Sequence, residues 1–263
     1  MRGGRIIMAC RNTEKGEEAK KEIVEETRND QIVVKELDLG SLESVQKFAK
    51  NFNQTESRLD ILVNNAGVMA CPKSFTKDGL EMQIGINHFG HFLLTNLLLD
   101  KLKASSPSRI VIVSSVGHSF GKINFEDLNS EKSYGEVAAY GQSKLANILH
   151  AVELTNRLKG TGVTANSLHP GAVNTELSRH ARQKGWMNMI LQVGKPFFLT
   201  PEQGAQTSLR LALDKSLDQV SGKYFADLKE KTPSDRAKNQ ADAKRLWEVS
   251  EAIIQEKLTS TNM

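Results

Sequence analysis

The amino-acid sequence predicts one α/β domain over residues 1–263, built on a doubly wound parallel sheet. Three observations predict it. Strand-like and helix-like segments alternate along the chain, the order that covers a parallel sheet with helices. The runs LDILVNN at 59–65 and RIVIVSS at 109–115 are apolar enough to lie buried. No repeat, low-complexity tract or linker divides the chain, and 263 residues suffice for a sizeable core.

In order, RIIMA at 5–9 reads as a strand and the polar stretch near 13–28 as a helix. QIVVKEL at 31–37 is the next strand and SLESVQKFAKNF at 41–52 the next helix. The strand at 59–65 leads to a long helix at about 78–104, which contains Asn87. After the strand at 109–115 comes a polar loop to about 135, then a helix from about 137 to 159. VTANSLHP at 163–170 is a strand that ends at a Pro-Gly turn. Helices near 201–214 and 234–257 flank a short strand at 223–225.

Composition excludes several function classes. Hydrophobic content of 39% and charged content of 25% are ordinary for a globular protein. A net charge of +4 is small and dispersed, so no nucleic-acid partner is expected. Two cysteines, Cys10 and Cys71, make no disulfide framework. No window reaches the roughly 18 apolar residues of a membrane-spanning helix, and the N-terminus lacks a signal-peptide pattern. The apolar stretch 186–199, WMNMILQVGKPFFL, reads as a substrate lid, a peripheral membrane contact or a packed short helix.

Chemistry concentrates at Tyr140 and Lys144. Their four-residue spacing puts both side chains on one helix face. A neighbouring ammonium is expected to lower the phenol pKa, so that the phenol exchanges protons near neutral pH. Ser114 and Ser115 end a strand, where α/β sheets place ligand-binding groups, and alternation points them in opposite directions. A hydroxyl there can stabilise oxyanion charge on a carbonyl. Asn87 is a poor helix-interior residue, which marks it for a special role. Asn65, Ala66 and Gly67 form a small-residue turn after a strand, where backbone can approach a ligand closely. Arg11 follows the first strand with no acid beside it, an arrangement that favours a 2′-phosphate over a free 2′-hydroxyl. His88 and His91 stand three apart, but no third ligand follows at useful spacing, so they read as packing residues and no metal is expected.

Taken together, NNAG at 64–67, Asn87, the SSV run at 114–116, Tyr140-x-x-x-Lys144 and PGAV at 170–173 form an ordered set. That set resembles the short-chain dehydrogenase/reductase family and its Rossmann-type fold. Longer runs, including NNAGVMACP, NHFGHFLLTNLLL, SKLANIL and LHPGAVNTEL, resemble its retinol dehydrogenase branch. The resemblance implies Ser115, Tyr140, Lys144 and Asn87 as catalytic residues, with Ser115 chosen over Ser114 because it immediately precedes Val116. It implies Arg11, Asp38, Leu39, Asn65, Ala66, Gly67, Tyr140, Lys144, Pro170, Gly171, Val173 and Thr175 as contacts for NADP(H). The implied substrate is retinol or retinal, with other lipid aldehydes or steroids as the alternative.

One feature of the family is missing from the sequence: the strand and Gly-rich turn that hold a dinucleotide pyrophosphate. The expectation is a chain lacking its first strand–turn–helix unit, with the strands at 5–9 and 59–65 deprived of a shared neighbour. A homo-oligomer covering the open edges, or a non-catalytic fragment, is the corresponding alternative. Family resemblance implies an endoplasmic-reticulum or mitochondrial membrane, but the chain shows no anchor, which leaves a cytoplasmic location as the other reading.

Overall fold

The computed structural model describes residues 4–173 and 198–261. Strand β1 (Ile6–Cys10) leads through helix α1 (Thr13–Thr27) to β2 (Ile32–Glu36), and α2 (Leu42–Thr55) leads to β3 (Ile61–Asn64). A helical stretch follows in three parts: α3 (Met82–Ile84), a π-helical turn (Gly85–Gly90) and α4 (His91–Ala104). Next come β4 (Ser108–Val113), a 3₁₀ turn (Val116–Ser119), α5 (Glu136–Arg157) and β5 (Val163–His169). Helix α6 (Pro201–Leu213), the hairpin β6 (Tyr224–Ala226) and β7 (Lys229–Lys231), a 3₁₀ turn (Asp235–Lys238) and α7 (Gln240–Thr261) complete it.

Strand pairing divides the described residues into two sheets. β1 and β2 pair in parallel with each other, and β3-β4-β5-β6 form a parallel sheet that β7 extends antiparallel. Among the described residues β1 and β3 do not pair with each other.

Alternation along β4 builds the two faces of the sheet. Ile110 and Ile112 enter a large core with residues of α2, α4, α5 and α7. Val111 and Val113 point the other way, into a smaller core with Leu168, Leu211 and Phe225 under α6. Buried strands with helices on both faces are the doubly wound arrangement.

Three differences from the sequence expectation have physical causes. The 78–104 helix begins only at Met82, where buried Glu81 caps it through both carboxylate oxygens, to Gln83 N and Ile84 N at 2.9 Å each. Its π turn was not expected. The β6–β7 hairpin was half missed, because its turn runs through Asp227 and Leu228, both at positive φ, without the usual Gly signal. Among the described residues no helix is long and apolar enough to cross a membrane.

Candidate active site

Helix α5 lies against the end of β4 and brings both Tyr140 and Lys144 out of solvent, at 6% and 3% exposure. The Lys144 ammonium donates to the Val113 carbonyl at 3.3 Å and lies 5.8 Å from the Tyr140 ring centroid. Asn147, three residues on, donates to the same carbonyl at 3.0 Å. The last β4 carbonyl therefore anchors this face of α5.

Burial corrects the expected electrostatics. The Tyr140 phenol is pushed up in pKa by burial, and the neighbouring Ser115 side chain opposes this only in part. Lys144 is pulled down to about 8, also by burial. Two groups sharing a dry site each pay for their charged form, and here desolvation outweighs mutual help. The phenol is thus held in its protonated form.

The two serines divide as strand alternation requires. Ser114 is buried and donates to the Lys144 carbonyl at 2.6 Å, which ties β4 to α5. Ser115 is half-buried, caps the 3₁₀ turn by accepting from Gly117 N at 3.1 Å, and neighbours the Tyr140 phenol, whose pKa it lowers in part. Only Ser115 is available to a substrate beside Tyr140.

Asn87 sits inside the π turn, fully buried. Its Oδ1 accepts from Val68 N at 2.8 Å, and its Nδ2 donates to Val68 O and to Ser143 Oγ, both at 2.9 Å. Ser143 in turn donates to the Tyr140 carbonyl at 2.8 Å. A π turn is a frequent functional device, and here it aims a helix-interior amide at the loop after β3. Gly67 lies in that loop: a Cβ on it would stand 3.0 Å from Asn87 Oδ1 and 3.3 Å from Lys144 Nζ. A side chain there would crowd both groups, because the loop passes directly over them.

The remaining candidates follow the C-terminal ends of parallel strands, where such sheets gather ligands. Asn65 and Ala66 are exposed after β3, and Arg11 is exposed after β1. Asp38, after β2, accepts from Gly40 N at 3.0 Å and pairs with Lys77 at 3.3 Å. The Leu39 side chain is packed in the main core, which leaves its backbone as the part that can face a ligand. Pro170, Gly171 and Val173 follow β5, where Val173 bridges to Leu199. Thr175, and 186–197 of the apolar stretch, lie outside the described residues.

These groups fit the two ends of a nicotinamide dinucleotide. Lys144 has three donors and a single hydrogen bond among the described residues, so it can still serve ribose hydroxyls. Arg11, exposed after β1, is a cation that could take a phosphate at the other end. The turn between β1 and α1 contains no glycine and is capped by Asn12.

Sequence reasoning missed Ser143 and Asn147. A polar residue with poor helix propensity, buried near Lys144, is the same signal that marked Asn87.

The family profile described as short chain dehydrogenase matches residues 1–186. Retinol dehydrogenase 11 of Homo sapiens is 52% identical over 249 residues, covering 95% of this chain and 77% of that protein. Retinol dehydrogenase 13 of Homo sapiens is 51% identical over 257 residues, covering 96% and 78%. The crystal structure of an uncharacterized protein from Mycobacterium paratuberculosis superposes with a TM-score of 0.76 at 38% identity, over 97% of this chain and 85% of that one. By profile, by identity and by fold, the chain belongs to the short-chain dehydrogenase family of NAD(P)-dependent oxidoreductases.

Proposed function

We propose that this protein interconverts an apolar carbonyl compound and its alcohol, of the retinal and retinol class, with NADP(H). The observation that carries the reading is the joint burial of Tyr140, Lys144 and Asn87 beside a half-buried Ser115. Tyr140 holds the proton that passes to the carbonyl oxygen, and its raised pKa keeps that proton in place until the oxygen becomes basic. Ser115 donates to the same oxygen, which stabilises the charge that develops there. Lys144 orients the ribose through its free donors, and Asn87 fixes the loop at Val68. The bound nicotinamide supplies or accepts the hydride.

Apolar substrates are favoured by what surrounds these groups. Val116 next to Ser115, Val137 one helical turn before Tyr140, and Phe120 are 59%, 48% and 53% exposed. Large apolar side chains left open beside a polar constellation suit a ligand with a hydrocarbon body and one polar end. The names of the relatives supply the retinoid. NADP(H) over NAD(H) rests on Arg11 at the end of β1. The same apolar rim also supports other lipid aldehydes or steroids as substrates.

The test is turnover by the full chain with NADPH or NADH against retinal, a medium-chain aldehyde and a steroid ketone. Retinal reduction with NADPH at the highest kcat/KM is the expected result. A faster aldehyde or steroid would replace the retinoid. No turnover, with no binding of either dinucleotide, would overturn the enzymatic reading of this chain.

A further inference from the structure

His118 lies in the 3₁₀ turn that begins at Ser115, and its side chain is almost wholly buried. Its Nδ1 stands 2.7 Å from the Ser115 carbonyl oxygen. Its Nε2 stands 3.2 Å from the backbone nitrogen of Ser234, a group that can only donate. Nε2 must therefore be the bare acceptor, so the single proton of the neutral ring sits on Nδ1 and is donated to Ser115. A cationic ring would set two N–H groups against each other at Ser234. The geometry thus admits one tautomer. Burial favours the neutral ring as well, since it lowers the His118 pKa.

The other end of the turn is tied to the same distant segment. Arg236 donates from Nη1 to the Gly121 carbonyl at 3.0 Å. Gly121 in turn sits so close to α5 that a Cβ on it would run into the Gly141 carbonyl, one residue past Tyr140. The His118 ring also packs on Tyr224 of β6, with centroids 5.0 Å apart. The turn carrying Ser115 is therefore held between α5 on one side and the segment at 234–236 on the other. Ser115 itself receives two hydrogen bonds on its carbonyl, from His118 N at 3.1 Å and from His118 Nδ1. Fixing that carbonyl fixes the backbone from which Oγ projects toward Tyr140.

We propose that His118, as the Nδ1–H tautomer clasped by Ser234, is a positioning residue that holds the Ser115 hydroxyl in register with Tyr140. The inference rests on the reading of Ser115 as a group that acts on the substrate carbonyl. It adds a role for the segment at 234–236, more than a hundred residues along the chain from the serine it steadies.

Three variants separate the two bonds. His118→Asn keeps an N–H donor on Cγ, where Nδ1 was, and loses the acceptor for Ser234. His118→Gln keeps polar reach toward Ser234 and loses the donor to Ser115. His118→Phe keeps the ring on Tyr224 and loses both. The expected order of kcat is wild type, then Asn, then Gln and Phe. The last two should fall about fivefold to tenfold, the scale of one lost hydrogen bond, with KM for the dinucleotide unchanged. His118→Phe added to Ser115→Ala should cost nothing further. Because Arg236 is exposed, Arg236→Gln provides a variant expected to fold, with kcat lowered about twofold to threefold.

A spectroscopic arm is independent of turnover. Nitrogen-15 NMR of the histidine-labelled full chain should show a bare Nε2 and a protonated Nδ1 for the signal lost in His118→Phe. An Nε2–H tautomer or an imidazolium at neutral pH would overturn the proposal. So would a His118→Phe enzyme with wild-type kcat in which Ser115→Ala is inactive. Full activity of Ser115→Ala, or a wild-type chain without turnover, would instead sink the underlying reading of Ser115, whatever the tautomer.

Discussion

Strands β1 and β4 are similar in sequence and opposite in environment. IIMAC in β1 and RIVIV in β4 are both apolar runs, yet every β4 residue but Arg109 is buried and no β1 residue is. β4 has a parallel partner on each edge and helical cores on both faces. Among the described residues β1 pairs with β2 alone, and Ile6 is 47% exposed. Burial is thus set by neighbours more than by apolar composition. The difference also sorts the site: Ser115, Tyr140 and Lys144 are anchored to the closed β3–β7 half. Arg11 and Asp38 stand on the β1–β2 half.

The largest expected effect lies in the closed half. Tyr140→Phe removes the transferable proton and little packing, so turnover should fall about 10²–10⁴-fold with dinucleotide affinity nearly unchanged. Steady-state kinetics beside a binding titration would show it, and retention of more than a tenth of the activity would refute the assignment.

Acid sensitivity should come from the same half. His88, His91 and His150 are fully buried on α5 and the helical stretch before β4, with His88 at about 3, His91 at about 4 and His150 also depressed, all chiefly through burial. Above the unfolded value of about 6.5 both states are neutral and these groups do not affect stability. Below it the unfolded chain binds protons that the folded one refuses, so stability falls with falling pH. Three such groups give a limiting slope of about 4 kcal/mol per pH unit between pH 6 and 5. Denaturant titrations across that range would measure the slope, and a flat profile would mean the histidine core admits water.

Packing gives a direct contrast of the two strands. Ile110→Ala should cost roughly 2–5 kcal/mol, as for a fully buried aliphatic chain. Ile7→Ala, at a half-buried position, should cost less than half as much. Equal losses would mean that β1 is as enclosed as β4 in solution.

The smallest effect is expected at the open end. Arg11→Asp should reduce affinity for NADPH relative to NADH about tenfold to a hundredfold, the range of one charge-assisted hydrogen bond. An unchanged ratio of kcat/KM for the two cofactors would show that another residue reads the 2′-phosphate.

Most of the fold was legible because its signals are local. The element order follows from strand and helix alternation, and the ends of β4 and α5 fall within a residue or two of expectation. What failed to read were features whose cause lies elsewhere in the chain. The π turn at 85–90 depends on Asn87 meeting Val68 and Ser143. The late start at Met82 depends on Glu81 being buried, and the Asp227–Leu228 turn on β7 having β6 to pair with.

By itself, the sequence determined that Tyr140 and Lys144 share a helix face, that a serine ends β4, and that small-residue turns follow β3 and β5, because helix pitch and strand alternation are properties of the local chain. Tertiary structure decided what the other serine does, since Ser114 is spent on the Lys144 carbonyl. It also decided the charge states. A lysine four residues away suggests a lowered phenol pKa, but burial raises it, because desolvation depends on everything packed around the pair. The His118 tautomer was decided the same way, by a backbone N–H at Ser234 that lies 116 residues away in sequence and 3.2 Å away in space.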